Sequence, residues 1–510
     1  MKKIDKFFGI SEKGSSVRIE ILAGIATFLA MAYILVVNPN QILWDGVSDV
    51  RWASVFIATA LGAVVGTLLM ALVAKMPLAQ ASGMGLNAMV GTVVGGAMGF
   101  GFSYGNAMLL VLISGIIFLL LSVVPVKKDK VTGKLVMLRE LIFDGMPKSV
   151  RTAITVGIGL FIAYIGMQNA KIIVADQYVI SGLVDFTNAE NWAVGGPART
   201  AVIGLFSFVV IAILAHFKVK GAVVIGILCG TLLAIPLGVT SFDVIAGKAD
   251  GITWRFWENF QTYFSMNPAN GGVFAAAFTE GFNMPEGSLL TCVMLVITFS
   301  MIDMFDTMGT VVGCTTNAGL IDENGKPLNY NKIMISDSVA TAFGAVTGTS
   351  TVTTFVESGA GVAVGGKTGL TALVTAILFL LSIFLLPLFA FIPSSACAGA
   401  LLYVGVLMMG NVTNIDFKNV KSSVPAFLTI IIMLLSYSIT KGIGVGIISH
   451  VVISTISYLI ELIIYACKKK SDENDEGEEC QNCKPVWDCS IVALVVCALF
   501  LVYFLVPTVL

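Results

Sequence analysis

The chain has 510 residues, of which 57% are hydrophobic and only 12% are charged, and its formal net charge is −1. Soluble domains carry about 25% charged residues, which excludes a soluble fold for so apolar a chain. The near-zero charge also argues against a nucleic-acid partner, because such proteins need a basic stripe. The composition therefore predicts a polytopic membrane protein surrounded by the lipid bilayer.

Apolar runs of about 17 to 25 residues, long enough to cross a hydrocarbon core roughly 30 Å thick, recur along the sequence. We predict the first seven spans near residues 19–37, 52–74, 78–98, 106–125, 150–167, 200–217 and 220–240. We predict the next seven near residues 289–312, 333–348, 350–366, 369–391, 396–410, 425–439 and 442–466. A last apolar stretch, Ser490–Leu510, follows an acidic linker, and its sequence leaves open whether it crosses the membrane.

The positive-inside rule tests this arrangement, because cytoplasmic loops carry an excess of Lys and Arg. With a cytoplasmic N-terminus, most of the 30 basic residues fall on the inside. The basic residues placed outside are Arg51, Lys171, Arg199, Lys248, Arg255 and Lys441. The first apolar run is too long for the core of a signal peptide, so we expect it to be retained. The sequence thus predicts a multi-pass protein of the cell (plasma) membrane with its N-terminus in the cytoplasm.

The third and tenth spans, around Ala81–Phe100 and Thr347–Gly369, are unusually rich in Gly, Ser and Thr. Aligned with each other, NAMVGTVVGG from Asn87 and ESGAGVAVGG from Glu357 share three glycines. An odd number of spans in each half makes such a repeat inverted, and irregular backbone at matching places indicates a binding site near the membrane midplane. The alternative is that these glycines only allow helices to pack closely.

Ionisable side chains within the predicted spans are few, and we identify three of them, Asp303, Asp306 and Glu357. An Asp at a helix centre costs roughly 2.5 to 3.5 kcal/mol on insertion scales, so such residues indicate function. No intramembrane Lys or Arg is available to pair with them, and like-charged neighbours favour the protonated form of a carboxyl. We therefore predict a proton-carrying site. The alternative, strongest for Asp306, is a structural carboxyl capped by amides or hydroxyls.

This lining favours a heterocyclic base as the ligand. A carboxylate accepts two N–H bonds, while the Asn87 side chain both donates and accepts. Phe299, Phe305 and Phe355 flank the acids and could stack on a flat ring, although aromatic residues in spans more often pack against lipid or other helices. Sugars and amino acids suit the lining less, and an inorganic anion would need Lys or Arg.

Two other motifs carry no catalytic prediction. Gly361–Thr368 reads GVAVGGKT and satisfies the Walker A pattern, but a phosphate-binding loop needs a soluble α/β domain around it. Cys480, Cys483 and Cys489 could hold a metal, but the first two lie at the acidic stretch SDENDEGEEC without a nearby His, which favours a solvated linker. We predict no enzyme activity, no metal site and no cofactor, with the proton as coupling ion.

Four stretches carry a resemblance to a known family: FFGISEKGSSVRIEILAGIATFLAMAYILVVNPNQI, AQASGMGLNA, DMFDTMGT and GTSTVTTFVESGAGVAVGGKTGLTA. From Phe7 to about residue 465 the sequence resembles the AzgA-like purine permeases, a branch of the nucleobase cation symporter (nucleobase-ascorbate transporter) superfamily. The resemblance implies an all-α fold of seven plus seven inverted spans, with short strands in spans 3 and 10 that cradle the base. Ser82 departs from the expected pattern, which has proline there.

The resemblance also implies a division of the chain into a core and a gate, each made of two halves. The implied segments are core halves at residues 1–125 (spans 1–4) and 289–391 (spans 8–11), gate halves at 150–240 (spans 5–7) and 396–466 (spans 12–14), and a tail at 467–510. The tail would combine an acidic cytoplasmic linker with the last apolar segment. A homodimer is compatible with this arrangement.

Carried over position by position, the resemblance implies that the base is bound by Asp303 and Glu357, with Asn87 as the polar residue of the third span. We also predict substrate contacts from Phe355, Thr307 and Thr354. Proton coupling would involve Asp303 and Glu357, with Asp306 as a supporting acid. We thus predict uptake of purine nucleobases (hypoxanthine, guanine or adenine) by proton symport. The alternatives are another nucleobase such as xanthine or uracil, an anion exchanger with the same inverted-repeat fold, or a passive channel.

Overall fold

The computed structural model describes residues 2–43, 46–95, 101–128, 135–176, 181–219, 221–240, 242, 252–322, 326–472 and 486–505. The chain divides into two compact units. The first unit contains Met1–Arg139 and Phe161–Leu407. The second contains Glu140–Leu160 and Met408–Leu510. Every residue of the predicted site belongs to the first unit.

Helices make up most of the described residues. The helices of the N-terminal part are α1 (Lys2–Phe8), α2 (Val17–Met31), α3 (Ile34–Ile42), α4 (Trp52–Leu69), α5 (Met84–Val94), α6 (Tyr104–Val123), α7 (Leu138–Gly145), α8 (Lys148–Asn169), α9 (Pro197–His216) and α10 (Ala222–Ala234). The middle part contains α11 (Phe256–Tyr263), α12 (Ala276–Thr279), α13 (Leu289–Ala318), α14 (Tyr330–Thr347), α15 (Ser358–Val364), α16 (Gly369–Ser382) and α17 (Leu386–Ala390). The last helices are α18 (Ser394–Met409), α19 (Val420–Leu435), α20 (Ile439–Asp472) and α21 (Ile491–Leu505).

The strands are short and form two-stranded antiparallel ladders. They are β1 (Gln80–Ser82), β2 (Pro125–Lys128), β3 (Leu135–Met137), β4 (Ile173–Val174), β5 (Gly182–Leu183) and β6 (Val352–Thr354). β2 pairs with β3 and β4 pairs with β5, and each of these pairs is local in sequence. β1 pairs instead with β6, across most of the length of the first unit.

Among the described residues, nine helical segments are long and apolar enough to cross a membrane. They are Val17–Ile42, Trp52–Ala74, Tyr104–Val123, Lys148–Asn169, Pro197–His216, Leu289–Thr316, Gly369–Ala390, Ser394–Asn414 and Ile439–Ala466. The remaining predicted spans correspond to shorter or more polar elements: β1 with α5, α10, α14, β6 with α15, and α19. The last apolar stretch forms α21, whose 15 residues are fewer than the roughly 20 that a transmembrane helix needs.

The first predicted span is not one continuous helix. Ala32 and Tyr33 separate α2 from α3, and α3 contains Pro39, which has no N–H to donate to the helix. The second span ends differently, because α4 passes into a π-helical turn, Met70–Ala74, that is closed by Lys75 with a φ of 55°. Apolar composition alone contains no sign of either irregularity.

The pairing of β1 with β6 joins the two segments that are rich in Gly, Ser and Thr. Gln80 lies opposite Thr354 and Ser82 lies opposite Val352. Each strand is followed by a short helix, α5 after β1 and α15 after β6, so the same strand–helix unit occurs in both of the Gly-, Ser- and Thr-rich segments. Backbone N–H and C=O groups that leave a helix inside a membrane must find other partners. Here the two strands supply those partners to each other.

Glycines at matching positions let the two short helices approach the first span closely. A Cβ atom on Gly91 of α5 would lie 2.1 Å from the carbonyl oxygen of Gln41 in α3. A Cβ atom on Gly361 of α15 would lie 2.1 Å from the hydroxyl oxygen of Thr27 in α2. Close packing, the alternative interpretation of these glycines, is therefore present together with the irregular backbone.

Candidate functional site

The predicted site residues lie on the strand pair and on the elements that contact it. Asn87 is in α5, the helix that follows β1, and Glu357 immediately precedes α15. Asp303, Asp306 and Thr307 are on α13, which packs against both β6 and α15. Thr354 ends β6, and Phe355 lies between that strand and α15, with 5% of its surface exposed.

Glu357 has a hydrogen-bond partner that the sequence did not reveal. The Tyr33 hydroxyl donates to Glu357 Oε1 at 2.6 Å. Tyr33 is buried, whereas Glu357 is partly exposed. The interruption between α2 and α3 contains Tyr33. A hydroxyl that donates to a carboxylate forms one of the stronger hydrogen bonds in proteins, so Tyr33 fixes the orientation of this acid.

Asp303 is buried but only partly satisfied. The Thr341 hydroxyl of α14 lies 2.9 Å from Asp303 Oδ2 and 3.1 Å from the carbonyl oxygen of Val352 in β6. Asp303 Oδ1 has no hydrogen-bond partner among the described residues. A buried carboxylate oxygen without a partner is unfavourable. It is therefore suited to accept an N–H from a ligand or to bind a proton.

A fourth acid, Asp337 of α14, joins the strand pair to α13. Its Oδ1 accepts hydrogen bonds from Gln80 Nε2 at 2.5 Å and from the Thr354 hydroxyl at 2.9 Å. Its Oδ2 accepts a hydrogen bond from the Thr307 hydroxyl at 2.8 Å. The sequence-based set of three intramembrane acids was therefore incomplete. Asp337 lies near the start of the predicted ninth span, where a charged group can reach water. In the folded structure it is fully buried against the two paired strands.

Two predicted substrate contacts, Thr307 and Thr354, donate their hydroxyl hydrogens within the protein. Both donate to Asp337, and the Thr307 hydroxyl also lies 2.6 Å from that of Thr353. Their direct effect in this structure is to hold the Asp337 carboxylate. Whether a ligand also contacts them stays a prediction.

Asn87 is held by residues from both of the Gly-, Ser- and Thr-rich segments. The Ser350 hydroxyl donates to Asn87 Oδ1, and Asn87 Nδ2 donates to the carbonyl oxygen of Ser82 at 3.3 Å. Ser82, the position where the resemblance implied proline, has its hydroxyl 2.7 Å from that of Thr349. A proline could not make this contact. The serine adds a polar link between the two halves directly beside the strands.

The four acids form a like-charged group. Asp303 lies within electrostatic range of Asp337 and Asp306, and Asp306 lies within range of Glu357. Ion pairs of described residues include Arg51–Asp49, Arg255–Glu258 and Lys421–Glu461, and these involve none of the four acids. Within the described chain, the group therefore has hydrogen-bond donors as partners and no cation.

The loop that matches the Walker A pattern binds a carboxylate of the same chain. The backbone N–H groups of Lys367 and Thr368 donate to Glu20 of α2 at 3.0 and 3.2 Å. Glu20 is fully buried although it lies at the edge of the first predicted span, so it is a further acid beside the three predicted ones. The amides that would hold a phosphate in a nucleotide-binding loop are thus already in use.

The cysteine-rich tail lies largely outside the described residues. Cys480 and Cys483 fall in the segment that the structure does not describe, whereas Cys489 is a free, partly buried thiol. Among the described residues, no group of three or more His, Cys, Asp or Glu side chains is arranged to hold a metal ion.

Comparison with known proteins assigns the chain to a family. The sequence model of the Xan_ur_permease family, described as "Permease family", matches residues 18–445. The chain belongs to this permease family. Adenine permease AdeP of Escherichia coli is 36% identical to it over 449 residues, which cover 88% of this chain and 90% of AdeP. The permease is therefore a membrane transporter and not an enzyme.

Two relatives from Bacillus subtilis are similar to this permease over nearly their whole length. Guanine/hypoxanthine permease PbuO is 37% identical over 448 residues, covering 88% of this chain and 93% of PbuO. Guanine/hypoxanthine permease PbuG is 36% identical over 474 residues, covering 92% of this chain and 95% of PbuG. The matched regions include every residue of the acid group, because they span most of the chain.

Solved structures of other transporters share the fold. The transmembrane domain of the cyanobacterial bicarbonate transporter BicA superposes with a TM-score of 0.53 at 15% identity, covering 85% of this permease and 97% of that domain. The murine anion transporter Slc26a9 in its inward-facing state gives a TM-score of 0.53 at 10% identity, covering 86% of this permease and 68% of the Slc26a9 chain. At these identities the likeness concerns the fold alone.

Proposed function

We propose that this permease takes up purine nucleobases, namely hypoxanthine, guanine or adenine, together with protons. The names of its relatives, adenine permease and guanine/hypoxanthine permease, support the purine class. The observation that carries the proposal is the group of four acids without a cation among the described residues, in which Asp303 and Asp337 are buried and Asp303 Oδ1 has no hydrogen-bond partner there. An anion would be repelled by this group, so anion exchange is the weaker alternative in spite of the shared fold.

In the proposed binding mode, the purine lies between the strand pair and α13. Asp303 and Glu357 accept hydrogen bonds from ring and exocyclic N–H groups, because carboxylates are acceptors only. Asn87 supplies both a donor and an acceptor, and the ring of Phe355 packs on the face of the purine. Thr307 and Thr354 support this arrangement through Asp337.

In the proposed coupling step, a proton from outside binds the acid group before or with the purine. Burying several like charges without a countercharge is costly, and a bound proton relieves part of that cost. Asp303 and Glu357 exchange the proton, and Asp306 beside Glu357 supports them. One charge moved through 100 mV is worth about 2.3 kcal/mol, which is enough for roughly fiftyfold accumulation of a neutral base.

The proposal extends to the membrane arrangement. It places fourteen crossings in the plasma membrane as a seven-plus-seven inverted repeat, with a core at residues 1–125 and 289–391, a gate at 150–240 and 396–466, and a cytoplasmic N-terminus. The repetition of the strand–helix unit in β1–α5 and β6–α15 supports two related halves. Residues 467–510 would form a cytoplasmic linker and an apolar tail.

Uptake of labelled hypoxanthine, guanine and adenine into a purine-uptake-deficient host tests the proposal. We expect saturable uptake that an uncoupler abolishes, and loss of uptake in Asp303→Asn and Glu357→Gln at equal protein abundance. Glu190→Gln, an exposed acid in a loop, should transport normally and serves as the control. Uptake that persists after the proton gradient collapses would contradict symport. Inhibition of uptake by uracil or xanthine, without inhibition by hypoxanthine, guanine or adenine, would contradict the proposed substrate class.

A further inference from the structure

The chain before α2 packs onto the region where α15 is joined to α16. Phe8 and Ile10 of this N-terminal segment are buried, with 6% and 1% of their surfaces exposed, and they pack against Leu370 at the start of α16. Asp5 orders the turn that follows α1, because its carboxylate accepts hydrogen bonds from the amide and the hydroxyl of Ser11 at 2.9 and 2.7 Å. The segment is thus a folded part of the first unit.

Three side chains near the start of the chain bind the turn Gly365–Thr368. The Ser15 hydroxyl donates to the carbonyl oxygen of Gly365 at 3.3 Å, and Lys13 Nζ donates to that of Lys367 at 3.4 Å. Glu20 accepts the backbone N–H groups of Lys367 and Thr368. It also accepts the hydroxyl of Thr371 at 2.6 Å. Both carbonyls and amides of this turn are therefore bonded to residues from the N-terminal part of the chain.

Glu20 is well placed to hold this turn firmly. Its carboxylate lies at the N-terminal end of α16, where the free amides and the helix dipole favour a negative group. Thr368 is the capping residue of that 14-residue helix. Hydrogen bonds from amides to a charged acceptor are stronger than those to a neutral one. Removal of the carboxylate would leave buried donors without partners.

The helix α15 depends on such contacts because it is short. It has seven residues and ends at Gly365, whose φ of 109° breaks the helix. Isolated helices of this length are not stable in themselves. The first span supports α15 along its length: Tyr33 bonds Glu357 before the helix, Thr27 touches Gly361 within it, and Glu20 holds the turn after it.

We propose that Lys13, Ser15 and Glu20 form an N-terminal clamp that holds α15 and thereby positions Glu357 for the purine. The clamp residues bind the turn after α15, and we assign them no contact with the substrate, so they are positioning residues. The inference rests on the proposed function for its effect on transport. Its structural part, that the clamp orders α15, stands independently of the substrate.

Hydrogen exchange of the purified protein in lipid nanodiscs tests the structural part. Glu20→Ala should make the amides of residues 358–364 exchange about tenfold faster, because the opening of a local segment sets its exchange rate. Thr371→Val removes only the hydroxyl bond to Glu20 and should give a smaller increase. Glu12→Gln alters an exposed acid of the same segment and should change nothing. Exchange in α6 serves as the internal reference for global unfolding.

Unchanged exchange of residues 358–364 in Glu20→Ala would overturn the clamp. If Glu20→Ala does not fold, Thr371→Val decides: faster exchange confined to α15 and the following turn supports the clamp, and exchange equal to that of the wild type overturns it. The two results do not depend on which solute the permease carries.

Uptake kinetics test the consequence for the site. At equal abundance in the membrane, Glu20→Ala should raise the KM for the transported purine about tenfold, since a displaced Glu357 weakens a hydrogen bond to a charged group. Glu20→Gln keeps the volume of the side chain but has only one acceptor oxygen for the three donors. It should restore only part of that loss, whereas a purely steric role predicts full restoration. If wild-type protein transports no purine, the proposed function fails while the exchange experiment still judges the clamp. If wild-type protein transports purine and the KM of Glu20→Ala is normal, the clamp does not position the site.

Discussion

Asp337 shows how one side chain can connect residues from distant parts of this sequence. Its partners Gln80 and Thr307 are 257 and 30 residues away, and Thr354 is 17 residues away. Because all three donate to one carboxylate, β1, β6 and α13 are held at a common point. Asp337 thus acts on the site by orienting these three residues, whereas the other acids are predicted to contact the substrate directly.

Asp337→Asn should reduce purine uptake at least about tenfold, because an amide nitrogen would face the donors that now bond a carboxylate, and hydrogen bonds to charged groups contribute about 1.5–3 kcal/mol. Ser336→Ala is the matched control, since the neighbouring Ser336 hydroxyl is buried without a partner among the described residues. Initial rates of uptake at equal membrane abundance measure the effect. Normal rates in Asp337→Asn would show that this acid has no part in transport.

Tyr33→Phe removes the hydroxyl that donates to Glu357 at 2.6 Å and leaves the aromatic ring in place. We expect the affinity for the transported purine to fall about tenfold, because a hydrogen bond to a carboxylate is lost while the ring still fills its place. Tyr403→Phe, at a partly exposed position of α18, should leave the affinity unchanged. Equilibrium binding of the labelled purine to the purified protein measures this affinity. Equal affinity in Tyr33→Phe and wild type would contradict the role assigned to the hydroxyl.

At the residue level, the sequence identified acids and missed their partners. Asp303, Asp306 and Glu357 stand out because charges are rare in apolar runs, which is a local property. The partner of Glu357 is 324 residues away in the chain, and no local property marks Tyr33. Asp337 was overlooked for a related reason, because its distance from the end of a predicted span says nothing about the strands that bury it.

Among the elements, hydropathy located the helices but not their interruptions. The apolar runs near residues 52–74 and 106–125 correspond to α4 with its π-helical turn and to α6. The break at Ala32 and Tyr33 and the burial of Asp337 in α14 follow from tertiary contacts, which hydropathy does not contain. The strands have only three residues each, too few for a periodic pattern, so their place came from the resemblance alone.

Gly361→Ala tests the packing of α15 on α2. The new Cβ atom would lie 2.1 Å from the Thr27 hydroxyl and 2.8 Å from the carbonyl oxygen of Ala23, so one helix would have to move. Overpacking of this kind costs about 1–3 kcal/mol, and we expect a lower unfolding temperature and slower uptake. Gly359→Ala, on the same helix with open space around the added atom, should keep the wild-type unfolding temperature. Equal stability of the two variants would contradict the close packing.

At the scale of the whole molecule, the pairing of two distant strand–helix units explains why the site forms from segments so far apart. Two strand–helix units, one in each half, meet through β1 and β6, and each brings one polar residue next to its short helix, Asn87 or Glu357. The same fold occurs in transporters that are only 10–15% identical to this permease. The likeness of fold by itself therefore does not identify the solute that this permease carries.

The proposed orientation predicts which loops react with reagents outside the cell. Glu190→Cys, in a loop placed outside, should be labelled by a membrane-impermeant maleimide on intact cells, whereas Glu12→Cys, in the N-terminal segment, should be labelled only after permeabilisation. The physical basis is the excess of Lys and Arg in the loops placed inside, which resist transfer across the membrane. Wild-type protein is a suitable background, because in the proposed arrangement none of its nine cysteines falls in an external loop. Labelling of Glu12→Cys on intact cells, with Glu190→Cys protected, would contradict the proposed orientation and place the N-terminus outside the cell.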